Sequence, residues 1–343
     1  MTNFAITNAR VFDGSEFHTG KAVIIRNGKV DAIVNSRNIP SDIAGFDAQN
    51  QILAPGLIDV QVNGGGGVLL NDEPNVDGVR AIMAAHRKFG TTAMLPTLIT
   101  DHREKMDLAI AAVTDAIHQE VPGIVGIHLE GPYLNAERKG VHDPNIIRPM
   151  EDDAIELLTR LPNGRILVTM APEKATTGTI AKLSERGVLV CAGYTAGTYN
   201  DVQAAISEGL RGFTHLFNAM SPMSHREPGV AGAAMADDST WCGLIADGYH
   251  VLGGEEIIAS DGRCALADGT LAGSDLDMIS AVKNCVEMVG IDLGEALRMA
   301  SLYPAEFLNL ADIMGRIAPG YQADMILFDD HYNIARSWIK GAE

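Results

Sequence analysis

Cysteine, basic charge and long apolar runs are scarce in this chain of 343 residues, and each shortage excludes a class of protein. The four cysteines lie far apart without a CxxC pair, which argues against a zinc knuckle, a redox dithiol or a disulfide framework. No apolar run approaches the roughly 20 residues that cross a bilayer, so we expect no membrane insertion. The 26 basic side chains face 44 acidic ones, and the net charge of -18 repels nucleic acid at long range.

The N-terminal stretch MTNFAITNARVFDG has no basic region followed by an apolar block and a small-residue cleavage site. We therefore expect no secretory signal and a cytoplasmic protein. The chain is long enough to bury about three quarters of the surface that its unfolded form exposes, so a sizeable core is expected. On so acidic a protein, a site for an anionic substrate must supply local positive charge.

Both ends of the chain have the pattern of short strands. Up to about residue 50, the sequence alternates in runs broken by Asp-Gly and Asn-Gly pairs, which are typical hairpin turns. The segment GRIAPGYQADMILFD at 315–329 has the same character. We predict one small β-sandwich module built from residues 1–53 and 315–343.

Residues 54–314 repeat a different unit, in which an apolar run is followed by a helical pattern. Continuous apolar strands alternating with helices predict a parallel sheet covered on both faces. The candidate functional residues fall at the ends of these runs, which favours an α/β fold of the (β/α)8 TIM-like type over a doubly wound sheet. The seven runs are GLIDV at 56–60, TTAMLPT at 91–97, GIVGIHLE at 123–130, RILVTMAPE at 165–173, VLVCAGYT at 188–195, GFTHLF at 212–217 and CGLIADG at 242–248.

The eighth barrel strand is missing from this pattern. After the seventh run, the chain passes almost directly into LGGEEIIASDGRCALADGTLAGS, which has the composition of Gly-rich hairpins. Scarcely any room is left for a helix and another barrel strand, so we predict a barrel that lacks its eighth strand unless EEIIAS fills the gap.

Two of the apolar runs end in residues suited to metal chemistry. Glu130 ends the run before GPYLN, and His215 lies in THLFNAM, so both fall where a barrel enzyme holds its metal. Tyr194, at the end of VLVCAGYT, occupies a position where such a site is expected to have another imidazole. The GGGG segment at 64–67 lacks the Lys and Ser/Thr of a P-loop and the spacing of a dinucleotide fingerprint, which indicates a loop beside the site.

Several long motifs occur in one order along nearly the whole chain. They are APGLIDVQVNGGGG, HLEGPYLN followed by KGVH, THLFNAM followed by HREPG, IADGYHV, LADGTLAGS, the LYPA turn and GRIAPGYQADMILFD. In these motifs the sequence resembles the N-acetylglucosamine-6-phosphate deacetylases of the amidohydrolase superfamily. The resemblance implies a metal-dependent hydrolase barrel with a β-sandwich module made from both chain ends.

The resemblance also implies an activity, the hydrolysis of N-acetylglucosamine 6-phosphate to glucosamine 6-phosphate and acetate in amino-sugar catabolism. An amide is a poor electrophile, so this reaction needs an activated water and a proton for the departing amine. A divalent metal ion, here expected to be zinc, lowers the pKa of a bound water, and a carboxylate can move the proton.

Residue roles follow from the same resemblance. Glu130 and His215 match two metal ligands of the family. Gln61 and Asn63 stand where many amidohydrolases have the HxH pair of a second metal site, so a single metal ion is expected. His142, in KGVH, matches a residue that contacts the sugar and helps to polarise the carbonyl.

Four further residues match substrate contacts of the family. Asn218 and Ala219 match the main-chain and amide contacts, whereas Arg226 and His250 match groups that hold the phosphate. In relatives the arginine can come from the neighbouring subunit, which implies a homodimer. Four further histidines are expected to be structural or exposed, namely His86, His102, His118 and His225.

The chain departs from the family at two places. Where the family has a histidine ligand in AGHT-like runs, this chain has Tyr194, and a neutral phenol binds zinc much more weakly than imidazole. Relatives also have several tens more residues between IADGYHV and LADGTLAGS, including the eighth strand and the aspartate that moves the proton. Asp261 is the candidate substitute, although its segment aligns better with the hairpin.

Two functional hypotheses therefore stay open. One is a sugar-phosphate deacetylase whose turnover is impaired by Tyr194 and by the missing segment. The alternative is an inactive paralogue or shortened relative that binds the amino-sugar phosphate. A dihydroorotase or an adenine deaminase is disfavoured, because those sites generally begin with an HxH pair and this chain has QVN.

Overall fold

The N-terminal part of the chain forms short strands joined by tight turns. The computed structural model describes residues 3–247, 263–265, 271–274 and 276–343. Asn27 and Gly28 both have positive φ, 51° and 78°, as a two-residue Asn-Gly hairpin turn requires. The strands are β1 (Phe4–Thr7), β2 (Arg10–Phe12), β3 (Phe17–His18), β4 (Lys21–Arg26), β5 (Lys29–Asn35), β6 (Ala44–Asp47) and β7 (Ile52–Pro55), with a 3-10 turn at Ser36–Asn38.

The middle of the chain alternates strands and helices. Its strands are β8 (Leu57–Val62), β9 (Gly64–Gly65), β10 (Val68–Leu69), β11 (Thr91–Ile99), β12 (Gly126–Glu130), β13 (Arg165–Met170), β14 (Leu189–Ala192), β15 (Gly212–Phe213) and β16 (Trp241–Cys242). Its helices are α1 (Val76–Arg87), α2 (Arg103–His118), α3 (Ala154–Leu158), α4 (Thr179–Glu185), α5 (Tyr199–Ser207) and α6 (Gly229–Met235), with 3-10 turns at Ala136–Arg138 and Pro172–Lys174.

The C-terminal part contains a hairpin, three short helices and two final strands. In chain order they are β17 (Arg263–Ala265), β18 (Leu271–Ser274), α7 (Met278–Asn284), a π-helical turn (Cys285–Val289), α8 (Leu293–Met299), α9 (Leu302–Phe307), β19 (Met325–Phe328) and β20 (Ile334–Trp338). Within the described ranges, no helix combines the length and the apolar character that a membrane span needs.

One curled parallel sheet organises the middle of the molecule. Among the described residues it has seven strands, and β8 and β11 to β16 lie side by side in chain order. The alternation of apolar runs and helices predicted this parallel sheet, and the prediction is confirmed. In the described ranges, β8 and β16 each have one neighbour in the sheet, so closure into an eight-stranded barrel stays a prediction.

The two faces of the parallel sheet pack against different partners. Val168 and Val190, on one face, belong to a large apolar cluster that includes buried side chains of α1, α2, α4 and α5. Leu167 and Leu189, on the other face, pack in a cluster with Phe307 of α9. Because adjacent residues of a strand point to opposite faces, one continuous apolar run supplies both clusters.

Two further sheets lie at the chain ends. The order β5-β4-β1-β6 forms a four-stranded sheet, and β20-β19-β7-β2-β3 forms a five-stranded sheet that contains both ends of the chain. The short strands divide between two sheets because β1 pairs with β4 and β6, while β2 pairs with β3 and β7. The bounds of the β-sandwich module, 1–53 and 315–343, stay a prediction.

Candidate active site

The candidate residues follow three of four neighbouring strands of the parallel sheet, β12, β14 and β15. Glu130 ends β12, Tyr194 lies two residues after β14, and His215 lies two residues after β15. Because β12 to β15 are parallel neighbours, their carboxyl ends meet at one edge. Side chains that are far apart in sequence are thus brought to one place.

Glu130 and His215 face each other at the centre of the site. Glu130 Oε1 lies 3.5 Å from His215 Nε2, and the two residues are 1% and 6% exposed. Gln61 Nε2 donates to the same oxygen at 2.6 Å. Burial opposes ionisation of Glu130, but its contacts with His215 and other imidazoles outweigh burial and lower the carboxyl pKa.

His142 is held in one orientation by Thr100. The Thr100 main-chain N–H donates to His142 Nδ1 at 3.3 Å, and the Thr100 hydroxyl lies 2.6 Å from the same nitrogen. A main-chain N–H cannot accept, so Nδ1 is the acceptor and the proton of the neutral ring sits on Nε2. Burial lowers the pKa of His142, which favours this neutral form.

Tyr194 fills the space between the two imidazoles. Its ring centroid lies 4.3 Å from that of His142 and 4.8 Å from that of His215, with edge-on geometry in both pairs. Burial and the Glu130 carboxylate raise the pKa of the Tyr194 hydroxyl well above its usual range. The phenol is therefore neutral near pH 7.

Unpaired polar atoms are concentrated here. Within the described part of the chain, six buried side-chain nitrogen or oxygen atoms have no hydrogen-bond partner. Three of the six are Glu130 Oε2, His142 Nε2 and His215 Nδ1. Native proteins leave few buried polar atoms unpaired, so three in one cluster indicate a ligand site.

The backbone around the site is strained. Tyr194, His215, Phe217 and Ala219 have φ values of 50°, 35°, 78° and 51°, a left-handed conformation that costs non-glycine residues free energy. Such residues persist where surrounding contacts hold them, and here Thr195 N–H donates to the Ala219 carbonyl at 3.1 Å. The strain lies at the residues that shape the site, which is typical of binding and catalytic loops.

One supporting residue was missed by the sequence interpretation. The Glu173 carboxylate accepts from the Thr195 hydroxyl at 2.5 Å, from Ala196 N–H at 2.8 Å and from Asn135 Nδ2 at 2.9 Å. These contacts join the loops after β12, β13 and β14. Its sequence signal was its place as the last residue of the run RILVTMAPE at 165–173.

A polar layer beneath the site was missed as well. His128 Nε2 lies 2.7 Å from the Thr169 hydroxyl, which in turn lies 2.6 Å from the Thr214 hydroxyl. Burial lowers the pKa of His128 to about 4, so the ring is neutral near pH 7. The alternation of β12 places His128 on the same face as Glu130, two residues away.

The other predicted residues are distributed around this centre. Asn218 and Ala219 are partly exposed on the loop after His215, and Arg226 is exposed on the loop before α6. His250 and Asp261 lie outside the described residues. Of the histidines expected to be structural or exposed, His86 contacts the Gly64 carbonyl at 2.9 Å, and the exposed ones are His102, His118 and His225.

The chain matches two known family models. A model described as "Amidohydrolase family" matches residues 52–342, and one described as "NagA composite domain" matches residues 3–53. The chain belongs to the amidohydrolase family. This confirms the resemblance recognised in the sequence motifs, and the amidohydrolases are hydrolytic enzymes.

Individual relatives of this amidohydrolase carry related names. An N-acetylgalactosamine-6-phosphate deacetylase of Shewanella sp. is 40% identical over 324 residues, covering 84% of this chain and 82% of the relative. An N-acetylglucosamine-6-phosphate deacetylase of Haemophilus influenzae is 31% identical and covers 98% of each chain. The crystal structure of N-acetylglucosamine-6-phosphate deacetylase from Pasteurella multocida matches with a TM-score of 0.94 and 32% identity, covering 99% of this chain and 98% of that chain.

The alignment with the Haemophilus protein also shows that this amidohydrolase is short. The alignment extends over 377 positions, whereas the chain has 343 residues, so at least 34 positions face gaps in this chain. The number agrees with the several tens of residues that the sequence analysis expected to be missing.

Amidohydrolases generally use a divalent metal ion, which requires suitable donor side chains at the site. Zinc sites use three or four Cys, His, Asp or Glu ligands in tetrahedral geometry. Glu130 and His215 offer two such donors, and the third neighbour is the neutral phenol of Tyr194. Within the described ranges, no group of three or more His, Cys, Asp or Glu side chains is arranged to hold a metal ion. These residues do not fit a complete zinc site.

Proposed function

We propose that this amidohydrolase acts on an N-acetylhexosamine 6-phosphate and hydrolyses its acetamide with one water molecule, releasing acetate and the free amino-sugar phosphate. One observation carries the proposal. Glu130, His142 and His215 lie together at one site, and each carries a buried polar atom without a hydrogen-bond partner. The site lies in a chain that matches named sugar-phosphate deacetylases over nearly its whole length.

We propose roles for the residues around this centre. The unpaired His142 Nε2–H is suited to donate to the acetyl carbonyl and to polarise it, because its direction is fixed by Thr100. Asn218 and Ala219, on the strained loop beside His215, are proposed to contact the sugar. Arg226 and His250 are proposed to bind the phosphate, which on an acidic protein needs local cations.

Turnover is proposed to be slow. The donor set lacks a third metal ligand at Tyr194, and the missing segment is the one expected to carry the proton-moving aspartate. The absence of such a group commonly costs a factor of about 10² to 10⁴ in rate. Asp261 remains the candidate substitute for that aspartate.

The same two features support a second candidate function. A chain with Tyr194 at the ligand position and at least 34 alignment gaps can bind the sugar phosphate without cleaving it. Such a protein is an inactive paralogue or a shortened relative of the deacetylases.

We also propose a homodimer in the cytoplasm. Arg226 is exposed on its loop, together with the apolar side chains Phe217 and Met223, and exposed apolar groups near a site favour an interface. A cytoplasmic location agrees with the free thiols of Cys191 and Cys242, since disulfides are rare there. Sedimentation velocity tests the dimer directly.

The experiment that tests the proposed function uses both epimers of the substrate. Purified protein is mixed with N-acetylglucosamine 6-phosphate or N-acetylgalactosamine 6-phosphate, and acetate release is followed by NMR while binding is measured by calorimetry. We expect saturable binding of at least one epimer and slow acetate release. Binding without acetate supports the second function, and a rate typical of metal hydrolases contradicts the proposed impairment. If neither sugar phosphate binds, both functions are wrong.

A further inference from the structure

Tyr194 occupies the position of a third metal ligand and is tightly packed there. The Tyr194 ring is 8% exposed and lies between the rings of His142 and His215. A Cβ at Gly140 would lie 3.0 Å from Tyr194 Cε1, so the loop has a glycine where the phenol ring passes. The Asn135 N–H also donates to the Tyr194 carbonyl at 2.9 Å.

Two neighbouring side chains, an amide and an imidazole, already contact the Glu130 carboxylate. Gln61 presents its Nε2–H group to Glu130 Oε1 at 2.6 Å, and an amide nitrogen in this position donates to the carboxylate and offers no lone pair to a cation. His215 Nε2 lies 3.5 Å from the same oxygen. The usual ligands of zinc sites are Cys, His, Asp and Glu, and a phenol is not among them.

We propose that Tyr194 is the residue that decides whether this site takes a metal ion. With tyrosine at position 194, Glu130 and His215 form a polar pair that holds no divalent ion at stoichiometric level. The single substitution Tyr194→His completes a Glu-His-His ligand set and creates a metal site. This inference concerns the same centre as the proposed function and rests on Glu130 and His215 being that centre.

Metal binding and turnover are therefore separable in this chain. Tyr194→His supplies a ligand but does not supply the missing segment, so the variant binds metal without gaining normal acetate release. A site that became fully active after this one change would contradict the separation.

The test uses metal ions alone as probes. Wild type, Tyr194→His and Tyr194→Phe are stripped with chelator, titrated with Zn²⁺ by calorimetry and loaded with Co²⁺ for visible absorption spectroscopy. We expect Tyr194→His to bind one equivalent of Zn²⁺ at least about 100-fold more tightly than wild type, and to show the visible bands of tetrahedral Co²⁺. Tyr194→Phe should match wild type, because the phenol oxygen is not a ligand.

Two controls make the result specific. Tyr303→His places a histidine at a partly buried tyrosine whose hydroxyl bonds Glu295, and it should gain no metal. Glu130→Gln combined with Tyr194→His should lose the affinity gained. Circular dichroism confirms that each variant is folded.

The proposal is overturned if wild type binds one Zn²⁺ as tightly as Tyr194→His, if a folded Tyr194→His gains no affinity, or if Tyr194→Phe loses metal that wild type holds. The sugar-phosphate assays answer a different question. If no sugar phosphate binds while the metal titrations follow the expected pattern, the proposed function fails and this inference stands.

Discussion

At the scale of single residues, the site is distinguished by polar atoms left without partners. A buried unpaired donor or acceptor costs about 1 to 3 kcal/mol relative to a paired one. Glu130, His142 and His215 each carry such an atom, and together they contact or adjoin Tyr194. A ligand that pairs these atoms recovers that free energy, so affinity should depend on each of them.

Replacing His142 should weaken ligand binding. In His142→Ala the Nε2–H donor is lost, and a hydrogen bond worth about 1.4 kcal/mol corresponds to roughly tenfold in Kd for the sugar phosphate, measured by calorimetry. His142→Gln, whose amide can both accept from Thr100 and donate to the ligand, should lose less. His118→Ala, at an exposed end of α2, is the matched control and should leave Kd unchanged. Equal affinity of wild type and His142→Ala would show that Nε2 does not contact the ligand.

At the scale of elements, the site depends on how loops from neighbouring strands are joined. The strands β12, β13 and β14 end side by side, but their loops would be free to separate without cross-links. Glu173, in the 3-10 turn after β13, bonds to Asn135 after β12 and to Thr195 and Ala196 after β14. Through these contacts one carboxylate fixes the corner that carries Tyr194.

Removing the Glu173 carboxylate should destabilise this corner. Glu173→Ala breaks three hydrogen bonds to a half-buried charged group, and we expect the free energy of unfolding to fall by about 2 to 3 kcal/mol in urea denaturation. Glu173→Gln keeps an acceptor and should lose less. Glu185→Ala, on the exposed end of α4, should change stability by less than about 0.5 kcal/mol. A loss from Glu173→Ala no larger than that of the control would contradict the role of this carboxylate.

At the scale of the whole molecule, the last residues of the chain are tied to the start of the parallel sheet. Asp324 is 7% exposed, and its carboxylate accepts from the Lys340 N–H at 2.6 Å. Its main-chain carbonyl accepts from the Gly56 N–H at 2.9 Å, between β7 and β8. The C-terminal strands are thereby attached to the segment that begins the parallel sheet.

Asp324 should make stability depend on pH. Burial raises the pKa of its carboxyl to about 6, so the folded state favours the protonated form. The protonated carboxyl therefore stabilises the folded state. This stabilisation is complete below the pKa of the unfolded chain, near 4, and is lost as the pH rises through about 6. We expect the free energy of unfolding of Asp324→Asn minus that of wild type, measured by urea denaturation, to rise by up to about 3 kcal/mol from pH 4 to pH 7.

The matched control for this prediction is Asp312→Asn at an exposed position. Its stability relative to wild type should be the same at both pH values. If the difference between Asp324→Asn and wild type is also flat with pH, the Asp324 carboxyl does not titrate in this range.

Much of the architecture was accessible from the sequence because it depends on local periodicity. Each of the seven apolar runs contains or overlaps one strand of the parallel sheet. The rule that parallel strands present their carboxyl ends at one edge was enough to predict that Glu130 and His215 would lie together. The boundaries at residues 53 and 315 and the roles of the site residues stay predictions.

The sequence by itself determined the family, the parallel sheet, the acidic charge and the tyrosine at the third ligand position, since motifs and apolar periods are local properties of the chain. Only the tertiary structure decided that Thr100 fixes the proton of His142, that Gln61 turns its amide nitrogen to Glu130 and that Glu173 joins three loops. These contacts join residues tens of positions apart. Their geometry is set by how loops pack against one another, and no periodicity in the chain encodes it.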